Sequence, residues 1–561
     1  MRREASVVNK KVCSFPILFA LLALLIGTCA VVFPASAQAA PTSNGSITVS
    51  GTVASSYDAY QIFSANVVDG DNDAKIATDL AWVSDAVRDA ALPVLHGAGM
   101  PKSQTTAQEA AEWLNADSHL TSALSAQLAR SLQSSGAVPV TLNAGTTAEL
   151  PCGYWLIVAD DDAIAQNEAG TAPIMALVGG SAVTVKPKAA TPKVQKHVLE
   201  DGAAAWQKAA DATVADDLYW RLSATIPAGL TAYDTYTVQF VDTMGAGLDP
   251  SKVAASMHVY VAAGADGGFD AVQTGKDGRA GTEPAKGWTD ISAQCRVSVD
   301  GKTFTVRTGG LIATLGGADA FTAGARVVAV YNAPLNSACS HGIAKGNPNE
   351  VYLRYPRSPF ADQSGDAGFT RTPSDDACAY TWDLALTKRG SDGDKPLAGA
   401  VLSIADDRGR TLAADGTWDA EGKATVTTGE DGRVTVSGVD SGKLEVRELK
   451  APKGYTAFEG TRSVTVKAEG LDVDQVAAAK PKLTITAESP LRADSADGST
   501  GSLEASIINT PTGTPPSITT GGFMPLTGDM AMYAVAAAAV AGAALIVVAL
   551  LIKRGGGSHK E

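Results

Sequence analysis

From Met530 to Ile552 the chain runs for 23 residues without a charge, and Lys553-Arg554 follows at once. At 1.5 Å per residue such a run forms a helix of roughly 35 Å, enough to cross the hydrocarbon core of a bilayer. The two basic residues hold the short tail, 553–561, on the cytoplasmic side. One C-terminal transmembrane helix is therefore expected at 530–552, with the long remainder of the chain outside the cell. Directly before the run stands Phe523-Met524-Pro525-Leu526-Thr527-Gly528-Asp529. A Pro/Thr/Gly-rich stretch at 511–523 precedes it and reads as an extended, flexible linker that keeps residues 524–528 clear of the last domain.

The other end of the chain agrees with export. Arg2, Arg3, Lys10 and Lys11 precede an apolar stretch from Phe15 to Phe33, and Ala35-Ser36-Ala37 or Ala37-Gln38-Ala39 offers a small-residue cleavage site. Residues 1–40 thus read as a signal peptide. Charged residues make up only 19% of the chain and the net charge is −14, so nucleic acid is not an expected partner. Cys13 and Cys29 leave with the signal; Cys152, Cys295, Cys339 and Cys378 remain, with no CxxC pair to suggest a zinc ribbon. An extracellular setting permits disulfides, and Cys339–Cys378 and Cys295–Cys339 both stay open as pairings.

Three domains are expected between signal and linker. The first, 43–187, has strand-like segments at Ser46–Ser50, Ala59–Phe63, Val138–Leu142, Gly153–Val158 and Ile174–Val178. Between Ala107 and Ser135, Leu120, Leu124, Leu128 and Leu132 recur every fourth residue, which adds a helical segment. Asp69, Asp71 and Asp73 mimic the start of a calcium loop, but Ala74 and Leu80 occupy the positions that need Gly and Glu, so a solvated loop is expected. Val183-Thr184-Val185-Lys186-Pro187-Lys188 closes this domain, and 188–192 reads as a linker.

The second domain, 193–375, carries a lysine where strand parity expects an apolar residue. Val194, Lys196 and Val198 share one face of a strand, as do Asn349, Val351 and Leu353, and as do Phe240 and Asp242. Burial lowers an amine's pKa and raises a carboxyl's. Such a site would hold a neutral Lys196 and a protonated Asp242 beside the amide of Asn349, with Asn347 the second choice by the same parity. In the third domain, 376–510, Trp382, Leu384, Leu386 and Lys388 alternate onto one face, Glu448 is in phase with Leu444 and Val446, and Ile507 shares parity with Asn509. No lysine occurs from Ala40 to Ala74, so the opening strands of the first domain cannot supply an amine equivalent to Lys196 or Lys388, and no covalent lysine–asparagine link is expected there.

These segments together resemble the sortase-assembled backbone pilins of Gram-positive bacteria. Met524-Pro525-Leu526-Thr527-Gly528 resembles the Leu-Pro-x-Thr-Gly sorting signal, with Met for Leu, and implies cleavage between Thr527 and Gly528. Residues 183–188 resemble the pilin motif, with Lys186 in place of its Tyr, and imply that Lys188 attacks the acyl-enzyme formed on another subunit. The middle segments resemble an isopeptide-forming fimbrial domain, implying a Lys196–Asn349 amide formed with the help of Asp242. Glu448-Leu449-Lys450-Ala451-Pro452-Lys453-Gly454-Tyr455 resembles the E-box of CNA-B-type domains, implying that Glu448 catalyses a Lys388–Asn509 amide.

The implied architecture is mainly β: tandem immunoglobulin-like (CNA-type) β-sandwiches, the first with added helices, plus the C-terminal span. The implied function is that of a structural pilus subunit exported to the cell wall. Its partners would be a sortase, further copies of itself, ancillary pilins and peptidoglycan, with a host-matrix ligand compatible. The alternatives are a singly displayed wall-anchored adhesin and an ancillary pilin. No GxSxG, P-loop, dinucleotide fingerprint or HExxH occurs, and the histidines lack metal-ligand spacing, so no enzyme beyond self-catalysis, no metal and no cofactor is expected.

Overall fold

The computed structural model describes residues 43–513 apart from 117, 171, 188–190, 200–204, 229, 265–282 and 285. The signal segment, Lys188, the pentapeptide 524–528, the apolar run 530–552 and the tail lie outside the described residues. Among the described residues no helix is long and apolar enough to cross a membrane.

Alternation builds the first domain. In strand Asn44–Val49 every second residue is buried, with Ile47 and Val49 in the core. This strand lies between Thr147–Pro151 (antiparallel) and Val183–Val185 (parallel). A second sheet orders Lys75–Trp82, Ser56–Asp69, Gly153–Ala159 and Ile174–Val178, with Val140–Asn143 also paired to Ser56–Asp69. Three helices pack on it: Asp85–Gly97, Ala107–Asn115 and Ser122–Ser134. Each begins at a side-chain cap. Ser84 and Thr121 accept from Val87 N and Leu124 N, and Thr106 with Glu109 forms a capping box. The expected single segment is thus two helices, with Leu120 in the turn between them. The helix at Asp85–Gly97 was not expected, and it carries Pro93 in its interior, a residue that argues against helix in a sequence.

The middle domain is a two-sheet sandwich. One sheet orders Thr289–Asp290, His258–Ala262, Arg326–Asn332, Tyr219–Thr225 and Val194–Val198. The other orders Ala209–Asp211, Asp375–Tyr380, Asn347–Pro356, Gln239–Met244, Thr303–Arg307 and Arg296–Asp300, with Phe369–Arg371 also paired to Asn347–Pro356. Trp220, Tyr236, Phe240, Phe304, Tyr331 and Leu353 fill the space between. Each such side chain contributes about 1.5–3 kcal/mol by leaving water.

The third domain is a second sandwich. Its opening strand, Trp382–Gly390, lies parallel to its closing strand, Ser502–Pro511, with Lys388 opposite Ile507 and Gly390 opposite Asn509. Arg433–Val439 flanks the pair, and the facing sheet is built on Val401–Ala405, Gly442–Lys450 and Thr461–Glu469.

Strand Asp375–Tyr380 joins the two sandwiches and carries the middle sheet past the expected break after 375. Its parity divides it: Ala377 and Ala379 enter the middle core, while Cys378 and Tyr380 enter the third. Asp211 accepts from Trp382 Nε1 at 2.6 Å and Ser441 N at 2.8 Å, and Asp216 pairs with Arg408 and Arg410. The same parity corrects the cysteine expectation. All four described cysteines are free. Cys339 packs in the middle core and Cys378 in the third, and Cys295 lies against the middle core as a free thiol.

Candidate functional site: two buried lysine–acid–asparagine clusters

The middle cluster gathers side chains from both sheets. Lys196 projects from Val194–Val198 and Tyr331 from Arg326–Asn332; Asp242 and Asn349 project from the facing sheet, on adjacent antiparallel strands two positions apart in register. Lys196, Asp242, Tyr331 and Asn349 are all fully buried. Lys196 Nζ contacts Asp242 Oδ2 and donates to the Tyr331 hydroxyl at 2.9 Å. That hydroxyl donates to Asp242 Oδ2 at 3.0 Å and accepts from Asn349 Nδ2 at 2.9 Å. The ring of Trp220 faces the ammonium at 5.4 Å, a cation–π environment that offsets part of its lost hydration.

Burial decides the protonation chemistry. It pushes Lys196 down to about 8 against the pull of Asp242, and it raises Asp242 against the pull of Lys196. The two shifts run toward each other, which narrows the gap between acid and amine. Asp242 Oδ1 and Asn349 Oδ1 are buried without a hydrogen-bond partner among the described residues. An orphaned buried oxygen costs about 1–3 kcal/mol, and protonating Asp242 would supply a donor to such a site.

Parity alone allowed Asn347 or Asn349 as the amide; the contacts distinguish them. Asn347 accepts from Ser340 N at 2.8 Å and donates to Ser340 O and Ala379 O, so it clamps a loop. Asn349 is the residue drawn into the lysine cluster.

The third-domain cluster is more compact. Lys388 Nζ donates to Asn509 Oδ1 at 2.5 Å and lies 2.9 Å from Glu448 Oε1. Asn509 Nδ2 donates to the same Oε1 at 2.8 Å, so one carboxylate oxygen contacts both nitrogens. Glu448 Oε2 accepts from Phe458 N at 3.0 Å, which fixes the carboxylate, and the Phe458 ring faces the ammonium at 5.2 Å. Burial pushes Lys388 down to about 8 as well.

Each cluster can perform one reaction, attack of a neutral amine on a primary amide with loss of ammonia. In the third domain the acid touches both nitrogens and can move a proton between them; in the middle domain the acid touches the lysine, and the Tyr331 hydroxyl stands between it and the amide nitrogen. Among the described residues of the first domain no such cluster is found, and Lys75 donates to Gly179 O and Ser181 O at its sheet edge.

Several participants were not foreseen. Tyr331 lies in Arg326–Asn332, a strand buried on both faces, where alternation cannot mark an inward residue. Asp375 accepts from Lys196 N at 2.6 Å and from Lys208 Nζ at 2.5 Å, pinning the lysine-bearing edge strand to the other sheet. No sequence signal links those three positions.

Comparison with known proteins adds a family for one domain. Residues 383–480 match the model of the SpaA family, described as a prealbumin-like fold domain. The trypsin-resistant surface T6 protein of Streptococcus pyogenes serotype M6 is 30% identical over 143 residues, which is 24% of each chain. The chain therefore spans about a quarter of the length of the curated relative it matches. Among solved structures, the T6 backbone pilin of serotype M6 Streptococcus pyogenes is similar with a TM-score of 0.46 and 17% identity, covering 84% of this chain and 98% of that one. The full-length major pilin SpaD from Corynebacterium diphtheriae has a TM-score of 0.40 and 14% identity over 84% and 98%. Over residues 383–480, the domain that sets Lys388 against Glu448 is thus similar to the SpaA prealbumin-like fold domains.

Proposed function

We infer that this chain is the backbone subunit of a covalently polymerised pilus on a Gram-positive cell surface. The observation that carries this reading is the pair of buried lysine–acid–asparagine clusters in successive sandwiches. A buried lysine is costly unless it is paired or consumed, and two such sites in one chain favour a protein built for covalent reinforcement. Lys196–Asn349 and Lys388–Asn509 close as amides, with Asp242 and Glu448 as the acids.

The similarity to a streptococcal surface protein supports display at the cell surface. The signal at 1–40 exports the chain and the span at 530–552 holds it at the membrane. A sortase cleaves after Thr527 in Met524-Pro525-Leu526-Thr527-Gly528, and Lys188 of the next subunit takes the acyl group. Ancillary pilins and peptidoglycan complete the assembly at its ends.

The test is Lys188→Ala in the producing cell. The high-molecular-weight ladder of wall extracts should disappear while monomer remains anchored. A persisting ladder moves the donor elsewhere, and a wild-type extract that holds monomer alone favours a singly displayed adhesin. Intact mass of the mature ectodomain should fall short of the sequence mass by two ammonia molecules.

A further inference from the structure

The two clusters solve the same proton problem differently. Joining an amine to a primary amide requires one proton to travel from the attacking nitrogen to the departing one. In the third domain Glu448 Oε1 touches both, at 2.9 Å from Lys388 Nζ and 2.8 Å from Asn509 Nδ2. In the middle domain the acid is Asp242, one methylene shorter. Its carboxylate meets Lys196 Nζ and the Tyr331 hydroxyl, and Asn349 Nδ2 is met by that hydroxyl, at 2.9 Å. We propose that Tyr331 is a catalytic proton relay of the middle domain, carrying to Asn349 Nδ2 the proton that Asp242 collects from Lys196. The inference rests on the isopeptide reading of this cluster.

The step balances as follows. Neutral Lys196 Nζ attacks Asn349 Cγ, forming the new C–N bond, while protonated Asp242 lends its proton to Oδ1. The resulting carboxylate takes one of the protons on Nζ. Tyr331 gives its hydroxyl proton to Nδ2 and receives the one held by Asp242. The Cγ–Nδ2 bond breaks and ammonia leaves. Reforming the carbonyl returns the lent proton to Asp242. Nζ keeps one hydrogen, the ammonia carries three, and both Asp242 and Tyr331 end as they began. The hydrogen bond between Nδ2 and Tyr331 reverses direction along this course. The planar amide nitrogen donates in the ground state, and it gains a lone pair able to accept once Cγ becomes tetrahedral.

Tyr331 is well held for the task. It is fully buried, its ring packs edge-on against Phe304 at 4.8 Å between centroids, and its strand pairs on both sides, with Tyr219–Thr225 and His258–Ala262. The hydroxyl makes three hydrogen bonds, all of them to the reacting trio.

The third-domain bond serves as an internal control. The mature-length chain is made by cell-free synthesis, quenched at intervals, and its two cross-linked peptides are counted by mass spectrometry. In Tyr331→Phe the middle bond should form about 100-fold more slowly, and the third-domain bond at the unaltered rate. Adding Asp242→Glu should restore part of the loss, because a longer carboxylate reaches Nδ2 as Glu448 does. An unchanged middle-domain rate in Tyr331→Phe overturns the relay. Equal slowing of both bonds also overturns it, since that marks a general folding defect. Fluorotyrosine installed at 331 changes hydroxyl acidity and keeps the ring, so it reads the relay without a packing change; a rate equal to that of tyrosine overturns it. A middle bond missing from the unaltered chain instead defeats the isopeptide reading of the cluster.

Discussion

Stretching one subunit between residues 187 and 513 tests the two amides together. With both closed, a load entering near Lys196 crosses to Asn349, follows the backbone to Lys388, and crosses again to Asn509. The backbone that can then lengthen is residues 350–387, about 38 residues, worth up to ~130 Å when fully extended. The long excursions are shielded. Lys388 and Asn509 are 121 residues apart, so Asn509→Ala should add roughly 400 Å of contour, and Asn349→Ala should add about 500 Å for its larger loop. The unshielded segment is itself held inside the middle sheet, where Asn349 pairs with Ala377 across adjacent antiparallel strands. Lys208 and Asp375 clamp its far end. Single-molecule force spectroscopy reads these lengths directly. A gain of several hundred ångström in the unaltered subunit would refute the shielding, as would an Asn509→Ala trace identical to the unaltered one.

Two further outcomes follow from the same sites. Asn509→Ala keeps Lys388 against Glu448 but loses the link; by analogy with a disulfide closing a loop of this size, the loss is about 5 kcal/mol. That lowers the third-domain transition by ~15 °C in calorimetry, and a shift under ~3 °C would refute the chain-entropy argument. The rate of middle-domain bond formation should follow a bell in pH. The active site holds one proton across Lys196 and Asp242; it loses that proton above about 8, and gains a second below the raised value of Asp242. A rate still rising well above pH 8 would show that the acid is not needed protonated.

Much of each site was legible because β-structure writes burial into parity. Lys196 between Val194 and Val198, and Lys388 after Leu384 and Leu386, stand where only an apolar or consumed side chain fits, and both prove fully buried. Parity has a period of two and says nothing about contacts along a face, which is why Asn347 and Asn349 stayed equivalent until their partners were seen. It also fails in strands buried on both sides, and that hid Tyr331. Asp375 acts on the Lys196 backbone N–H and the Lys208 ammonium, contacts for which a sequence carries no mark. The helix at Asp85–Gly97 was obscured by Pro93, and the division of Asp375–Tyr380 between two cores cannot be seen until both cores exist.

The placement of the two clusters bears on the first domain, whose described residues hold none. If the joint to the next subunit is made at Lys188, tension enters the chain after the first sandwich. It passes through the middle and third domains and leaves toward Thr527. Residues 43–187 then hang beside the load path, and nothing in the fibre pulls their strands apart. The first domain therefore has no mechanical need of an amide, and its Lys75 is spent on backbone carbonyls at a sheet edge. The same logic explains the firm seam between the loaded domains. Tension must cross from Asn349 to Lys388 without a covalent shortcut, and that stretch is where Asp211 meets Trp382 and Ser441, and where Asp216 meets Arg408 and Arg410. Ion pairs at an exposed seam contribute little, but the ion pairs of Asp216 and the hydrogen bonds accepted by Asp211 engage carboxylates that are largely or wholly buried, where loss of a partner costs several kcal/mol. With both clusters closed as amides, covalent links would guard the long loops, and buried polar contacts guard the short span left between them.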